Sequence, residues 1–210
     1  MIKVFLDDDH VLVREGLRRI VLENSLIRVV GEAADGDSLL AGLEATEPDV
    51  LLLDITMPGP GFLQLMERIR ARHPGLPILV VSMHPETHYA DRALKAGASG
   101  YVSKRQSVEE LTRAVFKVFG GGTYVSASAG EEPRRVRPSP PGTTRPHHLS
   151  DREFEVLLLL VTGSSITGIA ANLGLSPKTV STYRLRVLKK LGMKSNADLV
   201  RYAIRNELIA

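Results

Sequence analysis

Four short apolar runs in the first half of this chain each lead into residues with chemistry to offer. Asp8 and Asp9 follow residues 2–6, Asp54 follows residues 50–53, Ser82 follows residues 78–81, and Lys104 comes just after residues 100–102. In an open parallel sheet, ligands bind in the crevice beyond the carboxyl ends of the strands, where strand order reverses. Carboxylates gathered there repel one another unless a cation joins them, and an oxygen donor set that leaves room for water and phosphate suits Mg²⁺. A hydroxyl at Ser82 donates to a phosphoryl oxygen, and the ammonium of Lys104 neutralises charge on a transferring group. A carboxylate beside a metal and a lysine, as Asp54 would be, is a workable phosphoryl acceptor.

Such a crevice requires the runs to be neighbouring parallel strands. Residues 2–6, 28–30, 50–53, 78–81 and 100–102 have the length and apolar character of strands buried on both faces. Between them the apolar spacing turns helical, as in Val13, Leu17, Ile20 and Val21, or Phe62, Leu65, Met66 and Ile69. Ser107 with Glu110 predicts a capping box for the last helix, which carries Val108, Leu111, Val115 and Val118. Five strands alternating with five helices predict a doubly wound, flavodoxin-like α/β domain. A strand order of 2-1-3-4-5 makes strands one and three neighbours at the switch point, so Asp8, Asp9 and Asp54 converge.

The rest of the chain reads differently. Residues 126–148 hold prolines and arginines and almost no large apolar side chain, which marks a solvated tether. The expected organisation is a domain over 1–122, a flexible linker over 123–147 and a second domain over 148–210, with net charges of −3, +2 and +4. The positive charge of the last segment suits an anionic polymer as partner. The sequence contains no cysteine, which excludes disulfides, thiolate metal sites and a cysteine nucleophile. Three acidic residues within the first ten positions disfavour a signal peptide, and no apolar stretch approaches membrane-spanning length, so a cytoplasmic protein is expected.

After the linker the pattern predicts an all-α domain of four helices. Ser150 with Glu153 caps the first, a short helix covers 166–173, Ser176 followed by Pro177 starts a strong third, and Ser195 with Asp198 starts the last. The third carries Lys178, Thr179, Ser181, Thr182, Tyr183, Arg184, Arg186 and Lys189 between the apolar positions Val180, Leu185, Val187, Leu188 and Leu191. A capped helix offering short hydroxyls and basic side chains from its first turns fits the major groove of double-stranded DNA, where hydroxyls reach base edges while Lys and Arg anchor on phosphate.

Each of these residues also has an ordinary structural use: an Asp after a strand caps a helix, a lone Lys is solvated, and a Tyr packs. Their joint occurrence, in order and each after its predicted strand, is what carries the resemblance. Residues 1 to about 122 resemble a response-regulator receiver domain through Asp8-Asp9, Asp54 in LLLDITMPG, Ser82 in VVSMH and Lys104 in GASGYVSK. Residues 149–209 resemble a LuxR-type helix-turn-helix through LSDREFEVLLLL, IAANLGLSPKTVSTY and LKKLGMKSNADLV. The whole chain is thus similar to a NarL/FixJ-type response regulator. The resemblance implies that Asp54 accepts phosphoryl from a sensor histidine kinase and that Asp9 and Asp54 ligate Mg²⁺, with Asp8 helping through water. It further implies that Ser82, Lys104 and Tyr101 sense the phosphoryl group and that the active form is a homodimer. Phe62 and Gly168 depart from the usual pattern, where glycine and glutamate are common, and Tyr183 stands where histidine is common.

Three functions compete on these residues. The first is a two-component transcription regulator whose DNA binding is switched by phosphorylation of Asp54. The second is the same DNA-binding protein with a receiver used only for dimerisation. The third, a metal-dependent phosphatase with Asp54 as nucleophile, is disfavoured because no general acid stands near Asp54 in sequence and the basic domain would be idle. The expectation is therefore a stoichiometric acceptor and not a turnover enzyme.

Overall fold

The computed structural model describes residues 1–55, 61–84, 86–126, 149–206 and 208–209, and for 86–88 the backbone alone. The chain divides into two compact units, Met1–Ser126 and Ala127–Ala210. The expected linker from residue 127 onward lies outside the described residues. No helix among the described residues is long and apolar enough to cross a membrane.

In the first unit β1 (Ile2–Asp7), β2 (Ile27–Ala33), β3 (Val50–Leu53), β4 (Ile78–Ser82) and β5 (Gly100–Ser103) alternate with α1 (Val11–Leu22), α2 (Gly36–Thr46), α3 (Phe62–Arg72), α4 (Glu86–Lys95) and α5 (Val108–Phe119). All pairings are parallel, and β1 lies between β2 and β3 as expected. Side chains alternate across each strand. Ile2, Val4 and Leu6 of β1 join Val50, Leu52, Leu79, Val81 and Val102 in a core closed by Leu17 and Val21 of α1 and Leu111, Val115 and Val118 of α5.

The sheet has a sixth strand that the sequence pattern does not reveal. Tyr124–Val125 forms β6, parallel to β5, so the order runs β2-β1-β3-β4-β5-β6 and the unit extends past Gly122 into the segment expected to be linker. The Tyr124 amide donates to Ser99 O at 3.1 Å and the Ser126 amide to Tyr101 O at 3.2 Å. Gly100 permits this approach, because a Cβ there would meet Tyr124 O at 2.6 Å. The Tyr124 hydroxyl also bonds the Glu110 carboxylate, which Arg113 engages as well. The expected capping box on α5 is accordingly only half formed: Ser107 Oγ accepts the Glu110 amide at 3.3 Å, while the Glu110 carboxylate serves β6.

The second unit is helical: α6 (Asp151–Val161), α7 (Ile166–Leu173), α8 (Pro177–Leu191) and α9 (Asn196–Arg205). The expected capping boxes at Ser150/Glu153 and Ser195/Asp198 are both complete. α7 ends at Gly174 with φ +63°, where a residue with a Cβ is strained, and Ser176 then caps α8 with Pro177 in its first turn. The buried faces of α6 (Phe154, Leu157, Leu160), α7 (Ile169, Leu173), α8 (Val180, Val187, Leu188, Leu191) and α9 (Leu199, Tyr202) form one core.

Candidate functional site

At the carboxyl end of the sheet, Asp8, Asp9, His10 and Asp54 bring one ligand atom each to within 4.8 Å of the others. β1 delivers Asp8 and β3 delivers Asp54, and the strand neighbours are tied by the Asp54 amide, which donates to Asp7 O at 3.0 Å. Asp8 and Asp54 are buried, and Asp9 is partly exposed. Lys104, carried past the end of β5 and held by its amide to Ser82 O at 2.8 Å, places Nζ 2.5 Å from Asp8 and 2.8 Å from Asp54. Burial alone lowers an ammonium's pKa, but the Asp54 and Asp8 carboxylates outweigh it here and hold Lys104 above its ordinary value.

The cluster is rich in carboxylate oxygens and, among the described residues, has the Lys104 ammonium set against them, an arrangement that fits a hard divalent ion. The carboxylates of Asp8, Asp9 and Asp54 are the hard oxygen donors of this group. His10, whose Nδ1 lies 2.7 Å from Asp9, is a poorer partner for that ion and is occupied by the carboxylate.

Ser82, whose carbonyl accepts the Lys104 amide, and Tyr101 meet at a residue the sequence pattern does not single out, His84. Ser82 Oγ accepts the His84 amide at 3.3 Å, and the buried Tyr101 hydroxyl donates to His84 O at 2.8 Å. The His84 ring stacks on Tyr89 with centroids 4.5 Å apart. Burial lowers the His84 pKa, and Lys104 adds to this while Asp54 opposes it. The clue in the sequence is only that His84 sits two places after Ser82, beyond the strand end.

Asp7 was also missed. It is 2% exposed and neither carboxylate oxygen has a hydrogen-bond partner among the described residues. Burial pushes its pKa up to about 8, and repulsion from Asp54 and Asp8 adds to the effect. Phe62 begins α3 just after residues 56–60, and any effect of it on the loop over the site falls outside the described residues.

In the second unit α8 presents Lys178, Ser181, Thr182, Leu185, Arg186 and Lys189 to solvent. Thr179, Tyr183 and Arg184 are half-buried. Arg184 Nε donates to Asn196 Oδ1 at 2.7 Å, so this guanidinium ties α8 to the start of α9. Arg186 lies over the Tyr183 ring at 5.9 Å. Leu185, grouped in the sequence with the apolar positions of this helix, faces solvent instead, because Val180, Val187, Leu188 and Leu191 already complete the buried side. Gly168 lies in the first turn of α7 and donates its amide to the Ser165 cap at 3.0 Å, so the cap forms without a glutamate there.

α8 is seated on α6 through the buried Glu153. Its Oε2 accepts the Ser150 amide at 2.7 Å and pairs with Lys190 Nζ at 2.6 Å. Burial raises a carboxyl pKa, but the Lys190 and Ser150 bonds prevail and hold Glu153 below its ordinary value. Glu153→Ala removes both the reciprocal cap and the partner of Lys190, and is expected to destabilise this unit by about 1–3 kcal/mol. The check is denaturant unfolding of the full chain followed by resonances of α6 and α8; a variant as stable as the parent would make the pair incidental.

Comparison with known proteins decides the family. Residues 4–116 match the response regulator receiver domain and residues 147–203 match the bacterial regulatory proteins of the luxR family. The chain is 35% identical over 209 residues to the response regulator UvrY of Escherichia coli K12, covering 99% of this chain and 96% of the relative. The chain belongs to the response-regulator family. It is also 35% identical over 210 residues to the response regulator GacA of Pseudomonas syringae pv. syringae, covering 100% of this chain and 98% of that protein. Among solved structures this response regulator resembles RcsB of Salmonella typhimurium (TM-score 0.79, 27% identity, 98% of each chain). It also resembles the two-component response regulator RcsB in a DNA complex (TM-score 0.78, 28% identity, 96% and 97% covered).

Proposed function

We propose that this response regulator is a transcription factor whose sequence-specific binding to double-stranded DNA is switched by phosphorylation of Asp54. The observation that carries the reading is the Lys104 ammonium set between Asp8 and Asp54 at the end of the sheet, in a chain whose second unit bears an outward basic helix. A sensor histidine kinase is the phosphodonor. An Asp54 oxygen attacks the phosphorus, the bond from phosphorus to the donor nitrogen breaks, and the imidazole leaves with the electron pair and takes a proton. Asp8, Asp9 and Asp54 would hold Mg²⁺, which when bound would neutralise charge on the transferring group. Lys104 offers its ammonium to the phosphoryl oxygens, and Ser82 and Tyr101 relay the new charge to the segment around His84. The phosphoryl group stays on the protein, so the chain acts as a stoichiometric acceptor in the cytoplasm.

Lys178, Arg186 and Lys189 are cations of α8 with no carboxylate partner among the described residues and serve DNA phosphates, and Ser181 and Thr182 are the hydroxyls placed for base edges. Thr179, Tyr183 and Arg184 flank that surface, and Arg184 contributes chiefly by fixing α8 against α9. The active form is a homodimer on paired half-sites.

Beryllofluoride, which mimics an aspartyl phosphate, is expected to raise the affinity of the full chain for its DNA site by roughly 5- to 150-fold, the usual span of a switching equilibrium. Unchanged affinity alongside saturable beryllofluoride binding would favour the rival reading, in which the receiver serves dimerisation alone.

A further inference from the structure

The large apolar side chains exposed on the second unit include Leu185, at 61%, in the middle of the basic face of α8. Lys178, Thr182, Leu185 and Lys189 follow one another at intervals of four, three and four residues and so form a single line along the helix, with Ser181 beside it. Neighbouring cations identify the partner of this line as anionic, yet an aliphatic side chain gains nothing from phosphate. What it lacks is an apolar patch inside a charged groove.

The hydroxyls next to it narrow the choice. Thr182 Oγ1 donates to Lys178 O at 3.0 Å and Ser181 Oγ to Pro177 O at 2.9 Å, so both protons are committed within the helix. Each hydroxyl therefore presents acceptor lone pairs alone. An acceptor one helical turn from an apolar side chain complements a base pair that shows an amino donor and a methyl group. In the major groove that pair is adenine with thymine, through the adenine N6 amino group and the thymine 5-methyl.

We infer that Leu185 is a specificity-determining residue that reads the 5-methyl group of a thymine, with Thr182 accepting from the amino group of an adenine. The inference rests on the proposed docking of α8 in DNA and adds to it which base pair the helix prefers.

The test uses the full chain and a duplex obtained by selection from random DNA, in which each thymine is replaced in turn by deoxyuridine so that only the methyl is lost. At one position the parent should bind about fourfold more weakly, which is the loss of one buried methyl-sized group and equals roughly 0.8 kcal/mol. Leu185→Ala should bind the thymine and uracil duplexes equally at that position, while Lys178→Ala lowers affinity for both by the same factor. Equal sensitivity of parent and Leu185→Ala at every thymine would overturn the inference and leave α8 docking intact. A Leu185→Ala variant that lost self-association in sedimentation, and not methyl discrimination, would assign the side chain to a protein contact. If Lys178→Ala and Lys189→Ala both bound DNA as the parent does, α8 would not be the interface and both readings would fall.

Discussion

Asp54→Asn is expected to reduce uptake of phosphoryl from a small donor such as phosphoramidate to below detection, in a chain that remains folded. The amide has the shape of the carboxylate and lacks its nucleophilic charge. Folding survives because the ion pair most at risk has a second leg: Lys104 Nζ stays 2.5 Å from Asp8 when its 2.8 Å contact with Asp54 becomes a weaker bond to an amide. The variant also removes one of the three carboxylates proposed for Mg²⁺, so the affinity for that ion should fall, measurable by titration without any phosphodonor. Labelling that persists undiminished and withstands acid would place the phosphoryl group on a hydroxyl and refute the assignment, since an acyl phosphate is labile. Asp9→Asn separates the roles further: it should slow labelling and weaken Mg²⁺ while leaving the acyl-phosphate chemistry itself unchanged.

The parts of this site that sequence makes legible are those fixed by strand ends. Asp54, Ser82 and Lys104 each come at or just after the end of an apolar run, and a parallel sheet brings such ends together whatever the details of packing. Hydrophobic period cannot reveal pairings that involve very few residues. β6 has two, Tyr124 and Val125, and its place depends on a glycine at 100 that admits its backbone and on a Glu110 carboxylate turned away from its cap. The buried side of α8 is ambiguous for a related reason. Leu185 lies two positions from Val187, and only the packing against α6 and α7 shows that Val180, Val187, Leu188 and Leu191 fill the core and Leu185 does not. His84 escaped because its part is played by backbone atoms, whose partners depend on how the segment after β4 turns. Asp7 escaped because three consecutive aspartates read as one acidic patch, although strand alternation sends neighbours to opposite faces and separates Asp7 from Asp8.

That separation buries the Asp7 carboxyl at a cost to the stability of the receiver unit. Leu6 points into the core between the sheet and the α1–α5 face, so Asp7 points to the other face, where Phe5 is also buried. A carboxyl there with no hydrogen-bond partner among the described residues is a net penalty, offset by the apolar packing of the strand. With the pKa pushed from 3.8 to about 8, the folded chain binds a proton that the unfolded chain releases. The folded state is therefore relatively favoured near and below pH 4 and loses stability as pH rises toward 8, where the penalty reaches its full size. At about 1.4 kcal/mol per unit the ceiling is near 6 kcal/mol, and relaxation of the surroundings brings the expected value to roughly 2–4 kcal/mol. Asp7→Val, which keeps the strand and fills the volume with methyls, should thus stabilise the receiver unit by that amount at pH 8 and by much less at pH 5. Urea unfolding of the full chain in EDTA, read from β1 and β3 amide resonances, measures the gap between variant and parent at both values. Asp7→Asn, an amide equally without partners but unable to ionise, should recover the pH-dependent part alone. A gap that does not change with pH would mean that Asp7 is solvated or paired in solution, and a variant less stable than the parent would mean that its carboxylate is needed by the acidic cluster it adjoins.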